Sequence, residues 1–503
     1  MSIYLFGYLS SLVLVLLMTP AVVWIANRLS IVDVPGARHM HTRPMSHIGG
    51  VAIFLSMLPF IINVSWFSNS TVAADQSMLG QLRVLLLAAC FMFIIGLIDD
   101  LKTKGLRARI KFLAQITAAV GVCAVGVRIK SIVITDSLAF NFGWLSWPLT
   151  ILWIVGITNA VNLSDGLDGL AGGICAITCG VLAVLAALTG NLVMVLLLLS
   201  LLGSLMGFLF FNFNPAKIFM GDCGSMFLGF TIATASILCF LRFSTFAGLA
   251  LPIAALGVPI FDTFFSMLRR FLERRSIFSA DRSHFHHRLI DLGMTQRQAV
   301  LSIYGLTNLT AGLGLLMMTA PETLVPFILL FIIFLLLLVF HVVGSVRLEK
   351  ITAAMQKRYK IIYQEREERK SFEEAALYFR RAQTFDQWWQ AISTAAGKME
   401  FWAVDLPLIN RDGTSRDLIW HYNGHDPDPG PDGLIQVHVP VRDRRSGSWL
   451  RLRIELYKNG SLESAGRRVA LFTRLIDEHD INDLRRERQG LENIGGDRTS
   501  LYL

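Results

Sequence analysis

The sequence predicts an all-α polytopic membrane protein with about 11 transmembrane helices, followed by a small soluble α+β C-terminal domain. Three observations lead there. Of 503 residues, 53% are hydrophobic and only 17% charged, where a soluble chain carries about a quarter charged; the mean hydropathy is +0.54. The charge is unevenly spread: residues 1–344 hold 20 Lys and Arg and 13 Asp and Glu, whereas 345–503 hold 26 and 24. The first region is also built of apolar runs long enough to cross a hydrocarbon core, which takes about 17–25 residues. The net +9 is mostly loop charge beside a bilayer and does not point to nucleic acid.

In chain order, apolar runs lie near 3–27, 47–65, 83–98, 110–127, 144–160, 169–188, 192–211, 224–241, 246–264, 298–319 and 322–344. The first lacks a basic leader and a small-residue cleavage site, so it reads as a retained span. Alternate loops differ sharply in basic residues. One set carries Arg28, Arg38, Arg43, Lys102, Lys104, Arg107, Arg109, Lys217 and the run from Arg269 to Arg297; the other carries Arg83, Arg128, Lys130 and Arg242. The positive-inside rule places the first set in the cytoplasm, with the N-terminus outside and the C-terminal third cytoplasmic. The six cysteines all lie in or near apolar runs, and Cys175 and Cys179, four apart, read as core residues and not as a disulfide or zinc framework.

Residues 345–398, rich in Glu, Lys, Arg, Ala and Gln at helical spacing, read as a helical linker. From 399 the pattern changes to alternating runs such as Leu434–Val439 and Trp449–Ile454, separated by turn signals such as Asp412-Gly413 and Asn459-Gly460. A closing helix at about 464–490 completes a cytoplasmic α+β accessory domain over 399–503, in which no catalytic motif stands out.

Carboxylates are costly at membrane depth and usually functional when present. Most of those in the membrane region cluster on one side. Asp99-Asp100 ends the third span, and Asn159, Asn162, Asp165 and Asp168 follow the fifth. Asp222 sits in Met-Gly-Asp-Cys-Gly-Ser between the seventh and eighth, and His284, His286 and His287 lie in the loop after the ninth. Each alone has a bland reading. An Asp-Asp pair can mark the water interface, Asp222 can be an N-cap, and the Arg269–Arg275 run can be an anchor. The Asn159/Asn162/Asp165/Asp168 series, spaced by three, reads as a polar stripe along one side of a helical turn. Zinc at the histidines is the lesser reading, since no Cys or second ligand pair accompanies them. Together, carboxylates without thiolates favour a hard cation such as Mg²⁺ shared with phosphate oxygens. Nearby His and Arg suit a diphosphate, and phosphoryl transfer chiefly needs positioning and charge neutralisation.

In this order, Asp-Asp, Asn-x-x-Asn-x-x-Asp-Gly-x-Asp-Gly-Leu, Met-Gly-Asp-x-Gly-Ser and Arg-x-His-x-His-His-Arg-Leu resemble the polyprenyl-phosphate N-acetylhexosamine-1-phosphate transferase family, glycosyltransferase family 4, over about residues 1–340. The His motif with the following Ile-Asp-Leu-Gly looks like the branch that starts O-antigen, enterobacterial common antigen, capsule or teichoic-acid linkage synthesis, more than the phospho-MurNAc-pentapeptide branch. The resemblance implies a cytoplasmic-face active site in a bacterial inner membrane. UDP-N-acetylhexosamine and undecaprenyl phosphate would be the substrates, GlcNAc the default sugar, UMP the by-product, and Mg²⁺ (or Mn²⁺) the cofactor. Asp222 looks like the metal ligand. Asp99 and Asp100 match the acidic pair near the acceptor phosphate, as base or positioner; a phosphomonoester is already largely ionised at neutral pH, which favours positioning. Asp165 and Asp168 are carried as catalytic residues with them. Asn159, Asn162, Arg282, His284, His286, His287, Lys102 and His41 look like substrate contacts. The first loop departs from the family at His39, where Lys is usual, so a fixed positive charge is not expected there.

Two other classes compete. A transporter would place carboxylates near the midplane, whereas here they gather at one face. A membrane sensor would explain the C-terminal domain but not the acidic motifs. That domain is open to self-association into a homo-oligomer, partner docking or regulation.

Overall fold

The computed structural model describes residues 2–31, 45–60, 76–102, 105–135, 138–243, 246–273, 276, 284–344, 348–409, 415–422, 434–442, 449–457 and 462–479. The chain divides into two compact units, Met1–Thr352 and Ala353–Leu503.

The first unit is helical, with one continuous apolar core. Its helices are α1 (Ser2–Arg28), α2 (Gly50–Ser56), α3 (Gln76–Leu101), α4 (Ala108–Ala124), α5 (Ser146–Ser164), α6 (Leu170–Leu188), α7 (Leu192–Asn212), α8 (Gly221–Phe243), α9 (Phe246–Ala255), α10 (Gly257–Leu272), α11 (Phe285–Asp291), α12 (Gln296–Met317) and α13 (Val325–Val342). A short antiparallel hairpin, β1 (Ser131–Thr135) and β2 (Leu138–Asn141), joins α4 to α5 and pairs Ile132 with Phe140. The sequence reading passed over this hairpin because its strands are only five and four residues long.

Helix α8 is the axis of the unit, with Phe230, Ile232, Ala233, Ala235 and Cys239 wholly enclosed. The outer helices expose large apolar side chains such as Phe6, Leu87, Leu152, Phe210, Phe327 and Leu330. In water that would be costly; against lipid chains it carries no penalty, because the surrounding medium is itself apolar.

Among the described residues eight helices are long and apolar enough to cross a membrane, and a ninth crossing exists if the pair α9 and α10, bent by 75°, is one span. The expected eleven includes two further runs, which fall below that length among the described residues. Within the run 47–65, an apolar helix covers Gly50–Phe60, with α2 as its first part, and 61–65 lie outside the described residues. The run 110–127 becomes the 17-residue α4, whose opening carries Arg109 and Lys111. The α9–α10 bend falls where Pro252, Gly257 and Pro259 crowd together, the usual cause of a sharp helix break.

The second unit has its own core. Helix α14 (Leu348–Arg381) begins just before it, α15 (Phe385–Lys398) follows, then strands β3 (Phe401–Ile409), β4 (Ser415–His421), β5 (Leu434–Arg442) and β6 (Trp449–Tyr457), and finally α16 (Leu462–Glu478). The sheet is antiparallel in the order β4-β3-β6-β5. Period-two alternation sends Leu452, Ile454 and Leu456 inward and leaves Arg451 and Arg453 exposed. Phe379, Trp388, Ile392 and Phe472 fill the same core. The 345–398 stretch, read as a linker, therefore also supplies core side chains. A capping box at Thr384 and Gln387 starts α15.

Candidate active site

The first contacts are made by the residues that end α3. Asp100 accepts from the backbone N–H of Asp222 through Oδ1 and of Cys223 through Oδ2, both at 2.9 Å. Those N–H groups open α8 and have no partner within their own helix. A carboxylate from the C-terminal end of one helix thus caps the N-terminus of another, and the helix dipole favours the arrangement. The segment from Ser46 to Gly50 closes over the junction: Ser46 O accepts from Phe219 N at 2.8 Å, while Gly49 N and Gly50 N donate to Phe219 O and Met220 O at 2.9 and 2.8 Å. His47 Nε2 lies 2.8 Å from the backbone oxygen of Asp100. Gly221, at φ +75°, sits between these parts; a Cβ there would lie 1.9 Å from His47 O.

Asp99 faces the other way. Its Oδ1 accepts from Leu106 N, and its Oδ2 lies 3.0 Å from Lys111 Nζ, which also reaches Asp222 Oδ2 at 2.6 Å. Asn162, near the end of α5, donates to Asp222 Oδ1 at 3.0 Å and to Ser225 Oγ at 2.8 Å. Oxygens of Asp99, Asp100 and Asp222 all fall within 4.8 Å of one another. The ends of α3 and α5 and the beginnings of α4 and α8 supply these groups, so they share one end of the bundle.

The series of four polar residues divides. Helix α5 ends at Ser164, and Asp165 leaves helical geometry at φ −78°, ψ 50°; the expected single stripe is broken there. Asn159 is spent on Gln115, donating to its Oε1 at 2.6 Å. Asp168 Oδ2 accepts from Asn214 Nδ2 at 2.9 Å and Ala216 N at 3.1 Å, tying the start of α6 to the turn before α8. Of the four, Asn162 makes one direct hydrogen bond to the carboxylate cluster, while Asp165 interacts electrostatically with Asp222 and Asp100.

The histidines form a second group. Asp262, buried on α10, holds His284 Nδ1 at 3.0 Å through Oδ2 and accepts from Phe285 N at 2.8 Å through Oδ1. The rings of His284 and His286 are nearly parallel with centroids 5.6 Å apart, and His287 lies 4.4 Å from His286. His286 presses on Gly166, where a Cβ would come within 2.6 Å of its Nε2. This explains why glycine follows Asp165. Lys102 is exposed beyond the end of α3. His41 and Arg282, like His39, lie outside the described residues. Sequence reasoning missed Lys111, Ser225, Gln115 and Asp262. For Asp262 the available signal was a lone carboxylate interrupting an apolar run, which is costly unless paired.

Two titrations oppose each other. Burial, then repulsion from Asp222, Asp100 and Asp168, raises Asp165 to about 7. Burial lowers His286 to about 3, so its ring is neutral at physiological pH and offers a hydrogen bond, not a charge. A carboxyl raised in the folded state holds its proton longer there than in the unfolded chain, so its contribution is lost as pH rises from about 4 to about 7. A histidine depressed in the folded state loses its contribution as pH falls below about 6.5. In divalent-free detergent, Asp165→Asn should therefore make the melting temperature climb more steeply with pH between 4.5 and 7 than in the parent. His286→Gln should tilt the same curve downward. Parallel curves for both variants would contradict these assignments.

Membrane-length helices around one core, with carboxylates, a lysine and a histidine group drawn to their ends, define a polytopic membrane protein built around a polar, carboxylate-rich site. The sequence matches the glycosyl transferase family 4 profile over residues 82–240. It is 37% identical over 341 residues, 68% of this chain and 91% of the relative, to a probable undecaprenyl-phosphate N-acetylglucosaminyl 1-phosphate transferase of Bacillus subtilis. It is 34% identical to a decaprenyl-phosphate N-acetylglucosaminephosphotransferase of Mycobacterium leprae, covering 56% of this chain and 75% of the relative. A phospho-N-acetylmuramoyl-pentapeptide-transferase of Staphylococcus carnosus is 30% identical, with 61% and 95% covered. The chain belongs to glycosyl transferase family 4.

Proposed function

We propose that this enzyme transfers N-acetylglucosamine-1-phosphate from UDP-N-acetylglucosamine to undecaprenyl phosphate, releasing UMP and starting a lipid-linked cell-surface polysaccharide. The Bacillus subtilis relative is by name a probable undecaprenyl-phosphate N-acetylglucosaminyl 1-phosphate transferase, and the Mycobacterium leprae one a decaprenyl-phosphate N-acetylglucosaminephosphotransferase. The observation that carries the reading to these residues is the meeting of Asp99, Asp100 and Asp222 with Lys111 and Asn162 at one end of the bundle. That end faces the cytoplasm of the bacterial inner membrane in this reading, with the N-terminus outside, because the basic residues of the sequence gather in the loops next to these motifs.

In the reaction an oxygen of the lipid phosphate attacks the phosphorus that bears the sugar. The bond from that phosphorus to the bridging oxygen breaks, and UMP leaves with the electron pair. The acceptor is already ionised at neutral pH, so no strong base is needed. Both oxygens of Asp100 are engaged by backbone N–H groups, which suits a positioner: it fixes the α8 N-terminus and with it Asp222. Asp99 orients Lys111, whose charge is placed to meet phosphate oxygens. Asn162 holds Asp222 by one oxygen. Neutral His286, with His284 aimed by Asp262, offers hydrogen bonds to the diphosphate or sugar.

The donor set fits a hard divalent cation, since it is all carboxylate oxygen and already draws the Lys111 ammonium between Asp99 and Asp222. Mg²⁺, or Mn²⁺ in its place, would be held by Asp222 and Asp99, and when bound it supplies charge neutralisation to the diphosphate.

The test is transfer by purified protein, run on the full chain and on a chain ending at Thr352, where the first unit closes. Both should form the lipid diphosphate sugar and UMP. No product from the folded full chain, across a panel of UDP-sugars, would overturn the function. Product from the full chain and none from an equally folded truncation would assign a catalytic part to the second unit.

A further inference from the structure

Helix α14 has two faces. One packs into the second unit: Glu368 takes Arg467 Nε at 3.0 Å and Ser464 Oγ at 2.6 Å, and Ala375 and Phe379 are buried in the core. These residues, with Ile361 and Phe372, recur at helical spacing along one side. Turned away from it are Met355, Tyr359, Ile362 and Tyr363, exposed by 55, 74, 53 and 56%. Their spacing of four, three and one places them in one stripe about 100° wide. An apolar stripe of this size on a soluble helix normally has a partner.

The charge pattern says which. Between Glu349 and Glu365 the helix carries Lys350, Lys357, Arg358 and Lys360 and no acidic residue. Further along, the charges become mixed, from Glu365 through Glu374. The apolar stripe and the unbalanced positive charge therefore coincide in the first half of the helix. Met355 follows Val342, the end of the last span, by 13 residues, a tether of at most about 45 Å even when fully extended. Two aromatic residues with polar tips, one methionine and one isoleucine, flanked by Lys and Arg, are the composition of helices that lie in the lipid headgroup layer. Pairing with a second copy would instead bring Arg358 and Lys360 of each chain toward their own likeness.

We infer that the first half of α14, through Met355, Tyr359, Ile362 and Tyr363, docks on the anionic headgroup surface of the membrane that holds the spans.

The test uses the full chain in nanodiscs of zwitterionic lipid or of the same lipid with one-third phosphatidylglycerol. Both faces of a disc present the same lipid, so the outcome does not depend on which end of the bundle is cytoplasmic. Tyr359→Cys, in a Cys90→Ser background, reports the stripe through its rate of modification by a charged maleimide; Gln364→Cys reports the exposed flank. Anionic discs should slow modification at 359 about tenfold at low salt and leave 364 within twofold. Raised salt, or Arg358→Glu with Lys360→Glu, should restore the rate, since salt screens and charge reversal opposes the attraction of basic residues to an anionic surface. Equal rates at 359 in the two lipids overturn the proposal. So does equal slowing in detergent that grows with protein concentration, which would assign the stripe to a second copy.

Discussion

Asp222→Asn is expected to lower transfer on the order of a hundred- to thousand-fold, the scale seen when one group facing developing charge is removed. The loss has two sources. One anionic oxygen leaves the cluster formed with Asp99 and Asp100, and Lys111 loses its 2.6 Å partner. The hydrogen bond from Asn162 to Oδ1 can survive if the new amide presents its oxygen there. The α8 cap is made by the backbone N–H of residue 222 and is unaffected. Folding should thus be preserved while the dependence of rate on Mg²⁺ changes. Turnover and the Mg²⁺ concentration for half-maximal rate, measured on protein of unchanged melting temperature, decide it. A variant with the parent rate at ordinary Mg²⁺ would remove Asp222 from the metal role.

Gly221→Ala is expected to cost as much activity without removing a charged group. The residue sits at φ +75° with His47 O 1.9 Å and Asp100 Oδ2 2.6 Å from where the new Cβ must go. The backbone term alone is about 1–2 kcal/mol, and a backbone oxygen cannot swing aside as a flexible side chain can. Relief requires the Ser46–Gly50 segment and the start of α8 to separate, which pulls Asp222 away from Asp99 and Lys111. A lower melting temperature together with strongly reduced transfer is the expected pair of results. Normal activity would mean that this junction tolerates a shift larger than the site geometry allows.

The sequence by itself determined the membrane character, the two-part organisation and the residues that make up the carboxylate cluster. These follow from local facts: apolar runs of membrane length, a change in charge density near residue 345, and carboxylates where apolar runs stop. The strand segments of the second unit were equally legible, since alternation in 434–439 and 449–454 needs no partner to be seen.

Tertiary structure decided which polar residues share bonds. Asn159, Asn162, Asp165 and Asp168 look equivalent in a spacing of three, yet the end of α5 at Ser164 separates them, and Gln115, Asn214 and Ala216 claim two of the four. Asp99 and Asp100 are adjacent and chemically identical. Successive residues on a helix point about 100° apart, so one meets Lys111 and the other caps α8. Lys111 and Asp262 were hidden for the opposite reason. Lys111 reads as the last of an alternating basic run and Asp262 as a single charge in an apolar one, and only the partner packed against it shows what balances each.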